Sequence, residues 1–145
     1  GLIVVTGAAA DRVRPLVDGA EAIHNPEWET GMAASLRVGL QAVPACDGVL
    51  VLLCDQPLVT TDDIVRLADV WHNHPASPVA AEYAGIRGVP AIFPLRLRDE
   101  LLKLEGEQGA GSWLRNRPDV IGVPMENAAA DVDTPADLRK LREQE

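Results

Sequence analysis

The sequence predicts a three-layer α/β/α domain with helices on both faces of a mostly parallel sheet. Three observations carry that prediction. Short β-rich runs alternate with helical patterns along the whole chain. Residues 48–54 (GVLVLLC) form a continuous apolar run, the pattern of a strand covered on both sides. At 145 residues the chain has one domain's length and can bury a real core.

The elements follow in order. Residues 2–6 read as a strand and 9–17 as a helix, with Gly19 just past its end. Residues 21–24 make a short strand closed by Asn25-Pro26. From 32 to 43, Met32, Leu36, Leu40 and Val43 share one helical face. After the 48–54 strand, Thr60 or Thr61 caps a helix with Ile64, Leu67, Ala68 and Trp71 on one stripe, stopped by Pro75. Strands at 79–83 and 89–93 flank a Gly-rich loop. Pro94 opens a helix carrying Leu97, Leu101 and Leu104, ended by Gly106. A short helix at 112–116, a strand at 120–124 and a helix opened by Thr134-Pro135 complete the chain.

Bulk properties exclude several classes. Apolar residues make up 47%, yet no run approaches the roughly 20 residues that span a bilayer. The first residues carry no basic leader of the secretory kind. A formal charge of −9 argues against a nucleic-acid surface. Cys46 and Cys54 lack metal-ligand spacing, which points to a reduced, cytoplasmic setting, and Cys54 reads as a small buried hydrophobe.

Two acidic motifs stand out. Cys54-Asp55-Gln56-Pro57 places a carboxylate where a strand leaves the sheet, the edge at which such folds bind ligands. There Asp55 can reach a divalent cation, or simply begin a turn that Pro57 fixes. In Asp131-Val132-Asp133-Thr134-Pro135, extended backbone would project Asp131 and Asp133 to one side. Helix capping explains Thr134, Pro135 and Asp137, but not both carboxylates. Gly85-Ile86-Arg87-Gly88-Val89-Pro90 combines glycines with an arginine that can fork onto phosphate, although a hairpin turn also explains it. Gly109 and Ala110 open a helix in GEQGAG, where backbone N–H groups can meet an anion or merely turn the chain. Asn25, Gly31 and Ser35 surround another helix start, with Trp28 as a lid or a packed aromatic. Thr6-Gly7 lacks the glycines of a phosphate loop, and His24, His72 and His74 join no metal cluster.

Taken in order, "NPEWETGMAASLRVGL", "LVLLCDQPLV", "GIRGVPAIF", "GEQGAGSWL" and "DVDTPADL" resemble the molybdenum cofactor cytidylyltransferases, within the Rossmann-like nucleotidyltransferases. The resemblance runs from about Leu2 to Leu141. It implies one nucleotidyltransferase-like domain over 1–145 that moves CMP or GMP from CTP or GTP to a phosphorylated pterin, with release of pyrophosphate. It implies Mg²⁺ held by Asp55 and an acidic residue of D-V-D-T-P, Asp133 first and Asp131 second. Gln56, Pro57, Gly85, Arg87, Gly88, Pro90, Gly109, Ala110, Asn25, Gly31 and Ser35 would line the nucleotide or acceptor side. A molybdoenzyme or its chaperone would be the partner.

The family opens with a strand and a glycine-rich loop, L-A-A-G-x-S-x-R-x-G, that has no counterpart in this sequence. The expectation is therefore a sheet incomplete at its N-terminal side, with open strand edges and exposed apolar surface. Two other readings keep the fold: a transferase with a different phosphorylated acceptor, around which oxidoreductases also occur, and a non-catalytic cofactor- or partner-binding module.

Overall fold

A computed structural model of the chain describes residues 1–115 and 117–143. The described residues form, in order and with short 3₁₀ turns between some of them, β1 Ile3–Thr6, α1 Ala10–Val13, β2 Glu21–His24, α2 Met32–Ala42, β3 Gly48–Val51, α3 Thr61–Asn73, β4 Val79–Tyr83, β5 Ile86–Pro94, α4 Arg98–Leu101, α5 Ala110–Leu114, β6 Ile121–Pro124 and α6 Pro135–Arg142. β1 and β2 form a parallel pair, and β3-β5-β4-β6 form a four-stranded sheet. That sheet has both orientations. β5 runs antiparallel to β3 and β4, whereas β4 and β6 are parallel. The hairpin between β4 and β5 turns at Ala84 and Gly85, both at positive φ, where glycine carries no Cβ penalty.

Two cores cover the two faces. Leu40 of α2 and Leu101, Ala110 and Leu114 of α4 and α5 pack with Ala80, Val89, Ala91 and Phe93. On the other face Leu67 of α3 packs with Val79, Ala81, Ile92, Val123 and Met125. Alternation along β4 and β5 sends neighbouring residues to opposite cores, the layering that the sequence predicts.

Several details differ from the sequence reading. The 48–54 run is strand only to Val51, and it is not covered on both sides. β3 pairs with β5 alone among the described residues, and Leu50 on it is 37% exposed. Leu52 and Leu53, in the chain beyond the strand, are also exposed. Cys54, in the turn that follows, is exposed rather than buried. The expected open edge is thus present. The 9–17 helix lasts one turn before a 3₁₀ turn at Arg14–Leu16, because Pro15 removes a backbone donor. The helix after Pro94 likewise divides into a 3₁₀ turn, Leu95–Leu97, and α4. The helix expected at 112–116 starts earlier, at Ala110, and its position 116 lies outside the described residues.

Candidate metal and nucleotide site

The chain beyond β3 brings Asp55 beside the segment that follows β6. The backbone carbonyl of Asp55 accepts a 2.8 Å hydrogen bond from Val132 N–H. Oδ1 of Asp55 is buried and has no hydrogen-bond partner. Asp131 lies near enough to feel it. Burial, then the charge of Asp55, then that of Asp133 raise the Asp131 carboxyl above its ordinary range. Asp55, half-buried, thus acts on Asp131 more than Asp133 does, and both Asp131 and Asp133 are exposed. Among the described residues no three His, Cys, Asp or Glu side chains converge as a metal cage. A two-carboxylate site of this kind suits a hard divalent cation whose remaining ligands are waters and phosphate oxygens. An orphaned buried carboxylate oxygen is the feature such an ion would satisfy.

Gln56 is buried, and its Nε2 donates to Val89 O at 3.0 Å and Ala128 O at 2.8 Å. It braces the site while bordering an open cleft of about 340 Å³ with Leu52, Leu53, Thr60 and Pro90. Pro57 is exposed beside it. Tyr83, at the end of β4, packs over Gly88, where a Cβ would strike its hydroxyl. Burial, then Asp131, push the Tyr83 phenol upward; Asp55 adds to this, and Arg115 opposes it. Arg115 thus acts on Tyr83 from the side opposite in sign to Asp131 and Asp55. Arg87 is engaged otherwise, 3.5 Å from Glu82 and 3.3 Å from the Arg117 carbonyl, and Gly85 sits in the hairpin turn.

The remaining predicted residues gather at the start of α2. Asn25, 1% exposed, donates from Nδ2 to Ser35 Oγ at 3.0 Å and accepts from Glu27 N–H at 2.9 Å. Gly31 lies against the Gly106 carbonyl, which accepts from Ala33 N–H at 3.0 Å. Gly109 leaves room for Met32, and Ala110 is buried in the core with Val89. The structure thus sorts the predicted residues into an acidic group around Asp55 and a group that seats α2 on the 106–110 turn. The Val89–Ala110 packing joins the two.

Sequence reasoning missed Tyr83, Arg115, Asp63 and Asn127. Only Asp63 left a signal, as the third residue after the N-cap Thr60. A larger cleft, about 460 Å³ beside Trp71 and Arg96, contains none of the predicted residues. Among the described residues no helix is long and apolar enough to cross a membrane.

Known proteins resemble this chain along most of its length. The chain is 31% identical to Rv0371c of Mycobacterium tuberculosis, whose crystal structure is a complex with manganese; the match covers 99% of this chain and 78% of that one, with a TM-score of 0.81. It is 28% identical to nicotine blue oxidoreductase of Paenarthrobacter nicotinovorans, over 97% of this chain and 74% of the relative. The molybdopterin-guanine dinucleotide biosynthesis protein A of Archaeoglobus fulgidus shares the fold, with a TM-score of 0.67 at 16% identity over 98% of this chain and 77% of that one. Residues 1–120 match the MobA-like NTP transferase domain, and the chain belongs to that nucleotidyltransferase family.

Proposed function

We propose that the chain transfers CMP or GMP from CTP or GTP to a phosphorylated pterin, with release of pyrophosphate and with a divalent cation, Mg²⁺ or Mn²⁺, held by Asp55 and Asp131. The observation that carries this reading is the buried, unpartnered Oδ1 of Asp55 beside Asp131 in a chain of this family. Manganese in the Rv0371c complex supports the choice of a divalent ion. Asp133 is the third acidic group. When bound, the cation supplies charge neutralisation on the phosphate oxygens.

The reaction asks for orientation more than for proton removal. A phosphomonoester acceptor is already largely ionised at neutral pH, since its second pKa is about 6. One of its oxygens forms the new bond to the α-phosphorus, and the bond from that phosphorus to the bridging oxygen breaks to release pyrophosphate. No general base is needed, so the histidines can lie elsewhere. Asp55 and Asp131 would hold the cation, and Gln56 holds the Asp55 loop against Val89 and Ala128. Pro57, Gly85, Gly88, Pro90 and the α2 start would border the nucleotide or acceptor. The setting would be cytoplasmic, with a molybdoenzyme or its chaperone taking the product.

The test is pyrophosphate release from CTP and from GTP, with molybdopterin and Mg²⁺ or Mn²⁺, by the wild-type chain and Asp55→Asn. Turnover that disappears in the variant is expected. Equal turnover in both would remove Asp55 from the site. A second reading comes from the relative named as an oxidoreductase. It requires electron transfer to an acceptor with no pyrophosphate formed, and the same assay separates the two. Tight pterin binding with neither reaction would mark a binding module.

A further inference from the structure

The segment that carries Asp131 is fixed to the rest of the molecule by a short series of hydrogen bonds. Met125 N–H donates to Glu82 O at 2.9 Å as the segment leaves β6. Asn127 Nδ2 donates to Asp63 Oδ2 at 2.8 Å, and Ala128 O accepts from Gln56. Val132 N–H then reaches the Asp55 carbonyl. Asp131 sits between the last two anchors.

Asp63 is 3% exposed and sits in the first turn of α3. Its carboxylate accepts from Thr60 N–H at 3.0 Å, Thr60 Oγ1 at 2.8 Å and Arg66 at 2.6 Å. Those bonds already satisfy a buried carboxylate and cap the helix. The bond from Asn127 is the one that comes from outside this turn, across 64 residues of sequence. A purely local capping role for Asp63 leaves it unexplained. It ties the start of α3 to the turn that precedes Asp131.

We infer that Asn127, docked on the buried Asp63 carboxylate, is a positioning residue that sets where Asp131 stands relative to Asp55. The inference rests on the reading of Asp55 and Asp131 as the divalent-cation pair. Partners that orient metal-binding side chains, when removed, typically cost about 10- to 100-fold in metal affinity. Asn127 touches no reacting group; it acts through the Asp131 backbone.

The experiment measures Mn²⁺ affinity in the presence of CTP, by electron paramagnetic resonance of free Mn²⁺, with thermal unfolding recorded on the same samples. The proteins are the wild-type chain, Asn127→Ala, Asp55→Asn, and the exchange Asp63→Asn with Asn127→Asp, which keeps one amide-to-carboxylate bond in reverse. Asn127→Ala is expected to weaken Mn²⁺ binding about tenfold or more at a temperature where it is fully folded, and the exchange to restore most of the loss. A lowered Tm with unchanged Mn²⁺ affinity would overturn the positioning role and leave the metal pair standing. So would an exchange variant that stays as weak as the alanine variant. If the wild-type chain does not bind Mn²⁺, or if Asp55→Asn binds as tightly, the metal reading itself falls and takes the inference with it. Should Asn127→Ala fail to fold, Asn127→Ser takes its place with the same outcomes.

Discussion

Replacing Gly31 by alanine tests the seat of α2 on the 106–110 turn. Gly31 has φ +116° and ψ 177°, a region open in practice only to glycine. Holding an L-residue there costs about 1–3 kcal/mol. An added Cβ would also land on the Gly106 carbonyl and Glu107 N–H, backbone atoms that cannot swing aside. Forcing them apart adds about 1–3 kcal/mol and strains the Ala33 to Gly106 hydrogen bond. The expected loss is therefore about 4 kcal/mol. Unfolding entropy of about 2 cal/mol/K per residue turns that loss into a Tm drop on the order of 10–15 °C for a chain of this length. Urea unfolding followed by circular dichroism measures the loss directly, with the m-value unchanged if the native state stays compact. Gly111→Ala is the internal control. It lies in α5 with nothing within 4 Å of a new Cβ, so it should stabilise by about 0.5–1 kcal/mol. A Gly31→Ala loss below about 1 kcal/mol would refute the described backbone and its contact with Gly106.

Three further outcomes follow from the electrostatics and caps. The hydrogen bonds from Asn127 and the Thr60 backbone hold the Asp63 carboxyl far below the ordinary carboxylate range, against the cost of its burial. Its stabilisation is complete above the unfolded value of about 3.9 and is lost as pH falls below it. Asp63→Asn should lower stability at neutral pH and flatten the acid limb of the urea midpoint between about pH 5 and about pH 2; an unchanged limb would contradict the assignment. Asp55→Asn removes a negative neighbour, so the Asp131 titration midpoint, read by carboxyl NMR, should fall. It should remain raised, because burial is the larger cause; a static midpoint would separate the two groups. Thr134→Ala removes a complete capping box, worth about 1 kcal/mol, from α6. Since α6 buries no residue fully, the loss should appear as faster amide exchange within Pro135–Arg142 and scarcely in the global Tm.

Much of this was legible because it is local. The capping boxes at Thr60 and Thr134 and the start of α2 follow from residues within a few positions of one another. The acidic motifs were legible for a different reason. Asp55 stands just past a strand end, and capping did not explain both Asp131 and Asp133, so these residues carried a surplus that local structure did not absorb. The sequence put Asp133 before Asp131, whereas the charge that Asp131 feels from Asp55 puts Asp131 first in the proposal. Neighbours across the sheet were not legible. The GVLVLLC run shows that a strand is apolar, not what pairs with it, and β3 proves to be an edge strand, with Leu52, Leu53 and Cys54 exposed beyond it. The Gln56 and Asn127 bonds join segments separated by 33 to 72 residues, and no spacing rule reaches that far.

The arrangement of charge bears on how an acidic chain can hold a triphosphate. The formal charge is −9, and Asp55, Asp131 and Asp133 belong to the proposed cation site. Several arginines that could offset that charge are committed to the fold. Arg37, Arg96 and Arg98 donate to the carbonyls of Leu104, Ala76 and Gln41. Arg66 is paired with Asp63, and Arg117 with Glu100 and Asp119 while it stacks 3.9 Å over Trp113. Arginines held in this way stabilise the scaffold and cannot double as a phosphate cradle without releasing their partners. Nucleotide affinity in this chain should therefore depend steeply on divalent cation concentration. It should depend only weakly on replacement of any one of Arg37, Arg66, Arg96, Arg98 and Arg117.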